Sequence, residues 1–213
     1  MNAITARTAM ALRAATLVLL AGLVAACGGG SSEQTGQQRE GATGATVERT
    51  TLRRGNGPEA DTLDPQRART DAAFNILRDL FEGLTAVGPD GAAVPAAAES
   101  WTISEDGLEY TFRLRENLRW SNGDPLRAAD FVAGLRRLVE PATASPYAQV
   151  LEPVQNAGAI IRGEQPPENL GVMAPDDRTV VIRLQNPAPY LLGLLAQPGT
   201  FPVHGPSLAQ HGG

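Results

Sequence analysis

LEYTFRLR, residues 108–115, alternates apolar and polar side chains from its first position to its last. Successive side chains of a β-strand point to opposite faces, so the four apolar residues would share one face. The turn-forming sequence SEDG, residues 104–107, precedes this segment. We therefore predict a half-buried strand whose apolar face contacts the core of the protein.

Amphipathic helices are predicted on both sides of this strand. Residues 71–81 and 126–139 carry apolar side chains at helical spacing, Gly83 is expected to close the first helix, and Pro141 to end the second. Three shorter elements are also predicted: helices at 157–161 and 190–196 and a strand at 178–184. Helices and strands mix without a regular βαβ repeat, so the sequence predicts an α/β or α+β class.

The N-terminus has the pattern of an export signal. Arg7 and Arg13 precede an apolar segment, and small residues lead to Cys27, the only cysteine of the chain. The apolar segment is shorter than the roughly 20 residues that a membrane-spanning helix needs. LVAAC, residues 23–27, resembles the lipobox of bacterial lipoproteins, so we expect residues 1–26 to be a cleaved signal peptide and Cys27 to be lipidated. An ordinary export signal with an incidental thiol is the alternative.

Residues 27–50 are predicted to be a flexible linker. Gly, Ser, Gln and Thr dominate this segment, and residues 28–46 contain no large apolar side chain that could be buried. A lipid on Cys27 would anchor the protein to a bacterial membrane, and the linker would hold the folded part away from the bilayer. The predicted location is therefore extracytoplasmic.

The composition argues against several kinds of function. The net charge is −5, and the 18 basic residues, all of them Arg, form no basic run, which argues against nucleic acid as a partner. One cysteine excludes a disulfide within the chain. The two histidines are His204 and His211, and no G-x-S-x-G sequence occurs. We therefore expect no enzyme, no catalytic residue, no metal site and no cofactor.

Short sequence blocks in one order carry a family resemblance. The first six are DLFEGL (79–84), AESW (98–101), YTFRLR (110–115), WSNGDP (120–125), DFV (130–132) and ASPYA (144–148). Three more continue the series: LGV (170–172), DD (176–177) and PAPY (187–190). The series resembles the extracytoplasmic peptide-binding proteins of bacterial ABC transporters, the oligopeptide-binding group of solute-binding protein family 5.

The resemblance implies an α/β fold of the periplasmic-binding-protein type, a clamshell whose two lobes close over a peptide. Residues 51–89 would form the N-terminal segment of lobe I, opening with a strand at 51–55. Residues 90–200 would form an additional small α+β domain, and residues 201–213 would return to lobe I. Because the proteins of this family continue through a second lobe, we expect this chain to be an N-terminal fragment that lacks it.

The resemblance also implies a function. Peptides would be bound chiefly through their backbone, so their side chains would be tolerated rather than recognised. The bound peptide would be delivered to the permease and ATPase subunits of an ABC importer. The alternative is a lipid-anchored protein on the same scaffold that binds or senses solutes or murein peptides without a dedicated transporter.

Five ligand-binding residues follow from the resemblance: Arg69, Thr70, Asp71, Tyr147 and Gln197. The first three lie where the family pairs with the peptide main chain, although well-known members have an acid and an apolar residue in place of Arg69 and Asp71. Thr70 or Asp71 would otherwise cap the helix that follows. Tyr147 would line a pocket or else anchor its loop. Gln197 would face the ligand where some relatives have a histidine.

Three further residues of these blocks carry structural expectations. Trp101 and Trp120 match signature tryptophans of the family, and both are expected in the core because they flank the alternating strand. Arg127 stands where relatives have a threonine that caps the following helix. Losing a hydroxyl cap costs about 1 kcal/mol, so the start of this helix is expected to shift.

Overall fold

The structure, a computed structural model, describes residues 52–211. The predicted signal peptide, Cys27 and the linker lie outside the described residues, so the expectations about them stay predictions. The strand predicted at 51–55 is wrong for the part that is described. Residues 52–55 form no strand and pair with none of the described strands.

Five helices and six strands make up the described part of the chain. In chain order they are α1 (Asp71–Leu80), β1 (Thr85–Val87), β2 (Ala93–Pro95), β3 (Ala98–Ile103), β4 (Glu109–Leu114), α2 (Ala128–Val139), α3 (Ala157–Ile161), β5 (Val172–Asp176), β6 (Thr179–Arg183), α4 (Leu191–Leu194) and α5 (Gly205–His211). Single turns of 3₁₀-helix occur at Pro141–Thr143, Ala148–Leu151, Pro167–Asn169 and Pro198–Thr200. No helix among residues 52–211 is long and apolar enough to cross a membrane.

The alternating segment forms β4, which lies inside a four-stranded antiparallel sheet of order β3-β4-β6-β5. Phe112 pairs with Trp101 on one side and with Val180 on the other. Tyr110, Phe112 and Leu114 are buried, as the alternation predicted. A separate hairpin is formed by β1 and β2. The predicted half-buried strand is therefore confirmed.

Helix α2 packs its apolar face against this sheet. Phe131, Leu135 and Leu138 are buried in the same core as the β4 side chains. The helix begins at Ala128, and Arg127 occupies the cap position. A guanidinium group can only donate hydrogen bonds, so it cannot accept the N–H groups that a threonine hydroxyl would cap. Asp130 accepts the N–H of Arg127 itself at 2.8 Å, a different bond from the missing one.

Helix α1 packs on a smaller apolar cluster that includes Ala68, Ala73 and Leu77. The predicted helix is confirmed, but Gly83 does not close it, because α1 ends at Leu80. At Gly83 the backbone instead packs closely against Leu195 and Phe201. A Cβ at this position would lie 2.7 Å from the carbonyl oxygen of Leu195 and 2.7 Å from a ring carbon of Phe201.

Candidate functional site

The segment before α1 is folded around the carboxylate of Asp61. Thr70 is the N-cap of α1, and its Oγ1 accepts the N–H of Ala73 at 3.2 Å and donates to Asp61 Oδ1 at 2.8 Å. The N–H of Arg69 donates to Asp61 Oδ2 at 2.9 Å. The hydrogen bond from Thr70 is the main reason that the pKa of Asp61 lies below its ordinary value. The capping interpretation of Thr70 is therefore confirmed.

This contact restricts how Arg69 would meet a ligand. Its N–H is already donated, so a peptide carbonyl would pair with that group only by displacing Asp61. The side chains of Arg69 and Asp71 are exposed, and Asp71 lies in the first turn of α1, where a carboxylate suits the helix dipole. The ligand-binding role of these residues stays a prediction.

Tyr147 contacts α1 and keeps part of its ring accessible. Its side chain is 38% exposed, and its ring meets that of Phe74 edge-on, with the ring centroids 5.4 Å apart. The guanidinium carbon of Arg78 lies 6.0 Å from the centroid of the Phe74 ring. Tyr147 therefore anchors its loop to α1 and also offers an accessible aromatic surface.

Gln197 is exposed and begins the turn Pro198–Thr200. Its carbonyl oxygen accepts both the N–H of Thr200, at 3.0 Å, and the hydroxyl of Thr200, at 2.8 Å. Gly199, inside this turn, is buried. A Cβ on Gly199 would lie 3.8 Å from the carbonyl oxygen of Pro65 and 4.0 Å from Cβ of Tyr147.

The structure thus brings together the three segments that carry the predicted site residues. The segment before α1 and the loop of Tyr147 both contact the turn that follows Gln197, and they meet at Gly199. Tyr147 also contacts α1 through Phe74. The residues are far apart in sequence but lie on segments that pack against each other, as a shared binding surface requires.

A buried polar network below these segments was missed by the sequence analysis. Arg137, on α2, contacts Asp64 and Gln66, and Gln66 donates to the carbonyl groups of Gly199 and Phe201. Asp64 and Gln66 lie in a block with a recognisable turn sequence, but their partners are more than 70 positions away. No local pattern in the sequence signals such a contact.

A second missed feature is a groove of about 1050 Å³. Its lining is mainly apolar and includes Leu63, Leu80 and Leu208, of which Leu80 is 61% exposed. The groove lies between the segment before α1, the end of α1, the loop around Trp120, and α5. None of the α5 residues is buried.

Trp120 lies in this groove, so its expected place in the core is wrong. Its ring centroid is 5.4 Å from that of His204, and its indole N–H has no partner among the described residues. His204 Nε2 lies 3.0 Å from Asp124 Oδ2, and Nδ1 lies 2.7 Å from Ser207 Oγ. Trp101, in contrast, packs against the core as expected.

A metal site is absent from the described residues. Within residues 52–211 there is no cluster of three or more His, Cys, Asp or Glu side chains. The exposed side chains on the segments that meet at Gly199 carry instead a guanidinium group, a carboxylate, a phenol and an amide. Such groups can form hydrogen bonds with a ligand but hold no obvious cofactor.

Comparison with known sequences identifies the family. A sequence model described as bacterial extracellular solute-binding proteins, family 5 Middle, matches residues 92–211, more than half of the chain. The chain belongs to family 5 of the bacterial extracellular solute-binding proteins. The resemblance inferred from the short sequence blocks is confirmed.

Curated relatives agree with this assignment. The periplasmic oligopeptide-binding protein OppA of Escherichia coli (strain K12) is 42% identical over 188 residues, which cover 87% of this chain and 34% of OppA. The probable deoxycholate-binding periplasmic protein YgiS of the same organism is 44% identical over 163 residues, which cover 76% of this chain and 30% of YgiS.

A solved structure shows the same fold. The crystal structure of Haemophilus influenzae OppA in complex with RPPGFSPFR matches with a TM-score of 0.71 and 42% identity, over 74% of this chain and 31% of OppA. The expected α/β fold of the periplasmic peptide-binding proteins is therefore confirmed for the matched part. The chain spans about a third of the length of the relatives it matches.

Proposed function

We propose that this protein is an extracytoplasmic receptor that binds peptides through their backbone and delivers them to an ABC importer. The observation that carries the proposal is the 42% identity to a periplasmic oligopeptide-binding protein over 87% of this chain. Membership of a solute-binding family also supports the expectation that the protein is not an enzyme.

The surface around Gly199 is the proposed contribution of this chain to peptide binding. Arg69, Asp71, Tyr147 and Gln197 are all exposed on segments that meet there. Hydrogen bonds to a peptide backbone use groups that every peptide has, so such a surface would accept many sequences. An accessible tyrosine ring would add apolar contact without selecting a particular side chain.

Lipidation of Cys27 completes the proposal. A lipid on Cys27 and the linker that follows would hold the receptor close to the membrane-embedded permease. Replacing Cys27 by Ser in the natural host is expected to release the protein from the membrane fraction and to leave its mass without the diacylglyceryl group. A Cys27→Ser protein that stays in the membrane fraction would contradict this part of the proposal.

A chimera tests the ligand class. Residues 52–211 would replace the matching segment of Haemophilus influenzae OppA, whose complex with RPPGFSPFR supplies the probe peptide. We expect calorimetry to show that the chimera binds RPPGFSPFR within about tenfold of parent OppA. An unrelated peptide of equal length should bind similarly, whereas an N-methylated version should bind at least tenfold more weakly because it lacks backbone donors.

Deoxycholate serves as the competing ligand in the same experiment, because YgiS is named as a probable deoxycholate-binding protein. A folded chimera that binds deoxycholate but no peptide would overturn the proposed ligand class. Uptake of a labelled peptide by the natural host, with and without this gene, would test delivery. Unchanged uptake would favour the receptor without a dedicated transporter.

A further inference from the structure

We infer that Arg137 is a positioning residue for the proposed peptide-binding surface, which it sets without contacting the ligand. The inference rests on the proposed function. Arg137 lies on α2, outside the predicted binding residues. Its guanidinium group joins two separate parts of the surface, the segment before α1 and the turn after Gln197, through a single network.

The first part of the network is a bidentate ion pair between Arg137 and Asp64. Arg137 Nη1 lies 2.8 Å from Asp64 Oδ1, and Nη2 lies 2.6 Å from Asp64 Oδ2. The two side chains are only 13% and 19% exposed. Two parallel bonds between planar groups fix direction as well as distance, which one ammonium group cannot do.

The second part is the side-chain amide of Gln66, which is fully buried. Its oxygen accepts Arg137 Nη1 at 2.7 Å, and its nitrogen donates to the carbonyl oxygens of Gly199 at 3.2 Å and Phe201 at 2.9 Å. The opposite amide orientation would place N–H groups against a guanidinium group and an oxygen against two carbonyl groups. Arg137 and the two carbonyl groups therefore favour the same orientation of the amide.

The network lies directly beside the predicted binding residues. The N–H groups of Arg67 and Ala68 both donate to the carbonyl oxygen of Asp64, at 3.1 and 3.0 Å, and this turn leads to Arg69. On the other side, Gly199 and Phe201 follow Gln197. Arg137 is thus linked to both parts of the surface, to one through Asp64 and to the other through Gln66.

Hydrogen–deuterium exchange of the ligand-free protein tests the inference. Arg137→Lys keeps the positive charge but cannot form the bidentate pair with Asp64. We expect at least tenfold faster exchange at the N–H groups of Arg67, Ala68, Thr200 and Phe201, which close the two turns, with β4 unchanged. Arg162→Lys is the matched control, since its pair with Glu164 is exposed, and it should change none of these rates.

A second variant separates the two halves of the network. Gln66→Met keeps the pair of Arg137 with Asp64 but removes the donors to the turn, so only Thr200 and Phe201 should exchange faster. If Arg137→Lys does not fold, Asp64→Asn takes its place with the same four N–H groups measured, because it weakens the pair with Arg137 and leaves Gln66 unchanged. Equal acceleration in β4 would show a general structural role, and unchanged rates at both turns would show no role; either result overturns the inference.

The chimera with Haemophilus influenzae OppA supplies the functional measurement. There, Arg137→Lys should weaken binding of RPPGFSPFR at least tenfold at a temperature at which both this chimera and the Arg162→Lys chimera are fully folded. Equal affinity in the two chimeras would overturn the positioning role. A failure of both chimeras and their parent chimera to bind any peptide would instead contradict the proposed function, so the two failures are distinguishable.

Discussion

At Thr70 one hydroxyl group serves two neighbours, the helix that it caps and the carboxylate of Asp61. Asp61 in turn accepts the N–H of Arg69, a residue predicted to contact the ligand. A change at Thr70 therefore reaches the start of α1 and the adjacent backbone together. This linkage explains why a residue can be a helix cap and still bear on binding.

Replacing Thr70 by Val keeps the shape of the side chain and removes both bonds. We expect the pKa of Asp61 to rise toward its ordinary value, because the bond from Thr70 is the main cause of its lowering. A lowered pKa in the folded state stabilises the protein above the unfolded pKa of about 3.9 and less so as the pH falls through the folded value. Part of the stability difference between wild type and variant should therefore disappear in acid.

NMR titration of the Asp61 carboxyl carbon measures the change in its pKa. Urea unfolding at neutral pH measures how much the Thr70 cap contributes to the free energy of unfolding. Loss of the cap should cost about 1 kcal/mol of unfolding free energy. Thr70→Ser is the control, since it retains the hydroxyl group and should behave as wild type. An Asp61 that titrates identically in the Val and Ser variants would refute the assignment.

Gly83 carries a second prediction at this scale. Gly83→Ala would place a methyl group 2.7 Å from Leu195 O and the Phe201 ring, so we expect a loss of about 1 to 3 kcal/mol in unfolding free energy. Gly193→Ala is the matched control, because nothing lies within 4 Å of a Cβ there and alanine favours α4 by about 0.5 to 1 kcal/mol. Equal stability of the two variants would contradict the close packing at Gly83.

Among the secondary-structure elements, α2 has a cap that can be improved. Arg127→Thr would supply the hydroxyl acceptor that arginine lacks while leaving the bond from its N–H to Asp130 intact. We expect thermal unfolding to show a gain of about 0.5 to 1 kcal/mol. Arg127→Ala controls for the loss of the exposed contact between Arg127 and Asp177. A Thr variant no more stable than the Ala variant would argue against capping.

Elements with a strong repeat were predictable from the sequence, whereas contacts between elements were not. β4 and α2 follow from the period of their apolar residues, because burial of one face dictates that period. The predicted strand at 51–55 had no such pattern and is absent from residues 52–55. The network of Arg137 and the position of Trp120 depend on partners distant in sequence, which local patterns do not encode.

For the whole molecule, the groove lined by Leu63, Leu80 and Trp120 is an exposed apolar feature of the described residues. The matched residues cover 30% of YgiS and 34% of Escherichia coli OppA, so most of the polypeptide of these relatives lies outside the matched part. The surface around Gly199 would then contact only one side of a peptide. Contact from one side leaves the peptide backbone largely in water, where its hydrogen bonds are already satisfied.

We therefore predict that residues 27–213 alone bind peptides weakly or not at all. Calorimetry with RPPGFSPFR should give no saturable heat at concentrations that saturate Haemophilus influenzae OppA. The chimera described above is the positive control, because it adds the remaining polypeptide to the same surface. Tight binding by residues 27–213 would show that the surface around Gly199 is sufficient by itself.

The strand order β3-β4-β6-β5 has a consequence for the kinetics of folding. β3 with β4 and β5 with β6 are hairpins that close over short turns, a process of about 1 to 10 μs. Joining them through β4 and β6 must close a much longer loop that contains α2, so docking of the two hairpins should limit the rate. All four strands lie within residues 98–183. Because the chain is synthesised from its N-terminus, the sheet can close as soon as β6 is available, which shortens the time that its apolar face is open to aggregation.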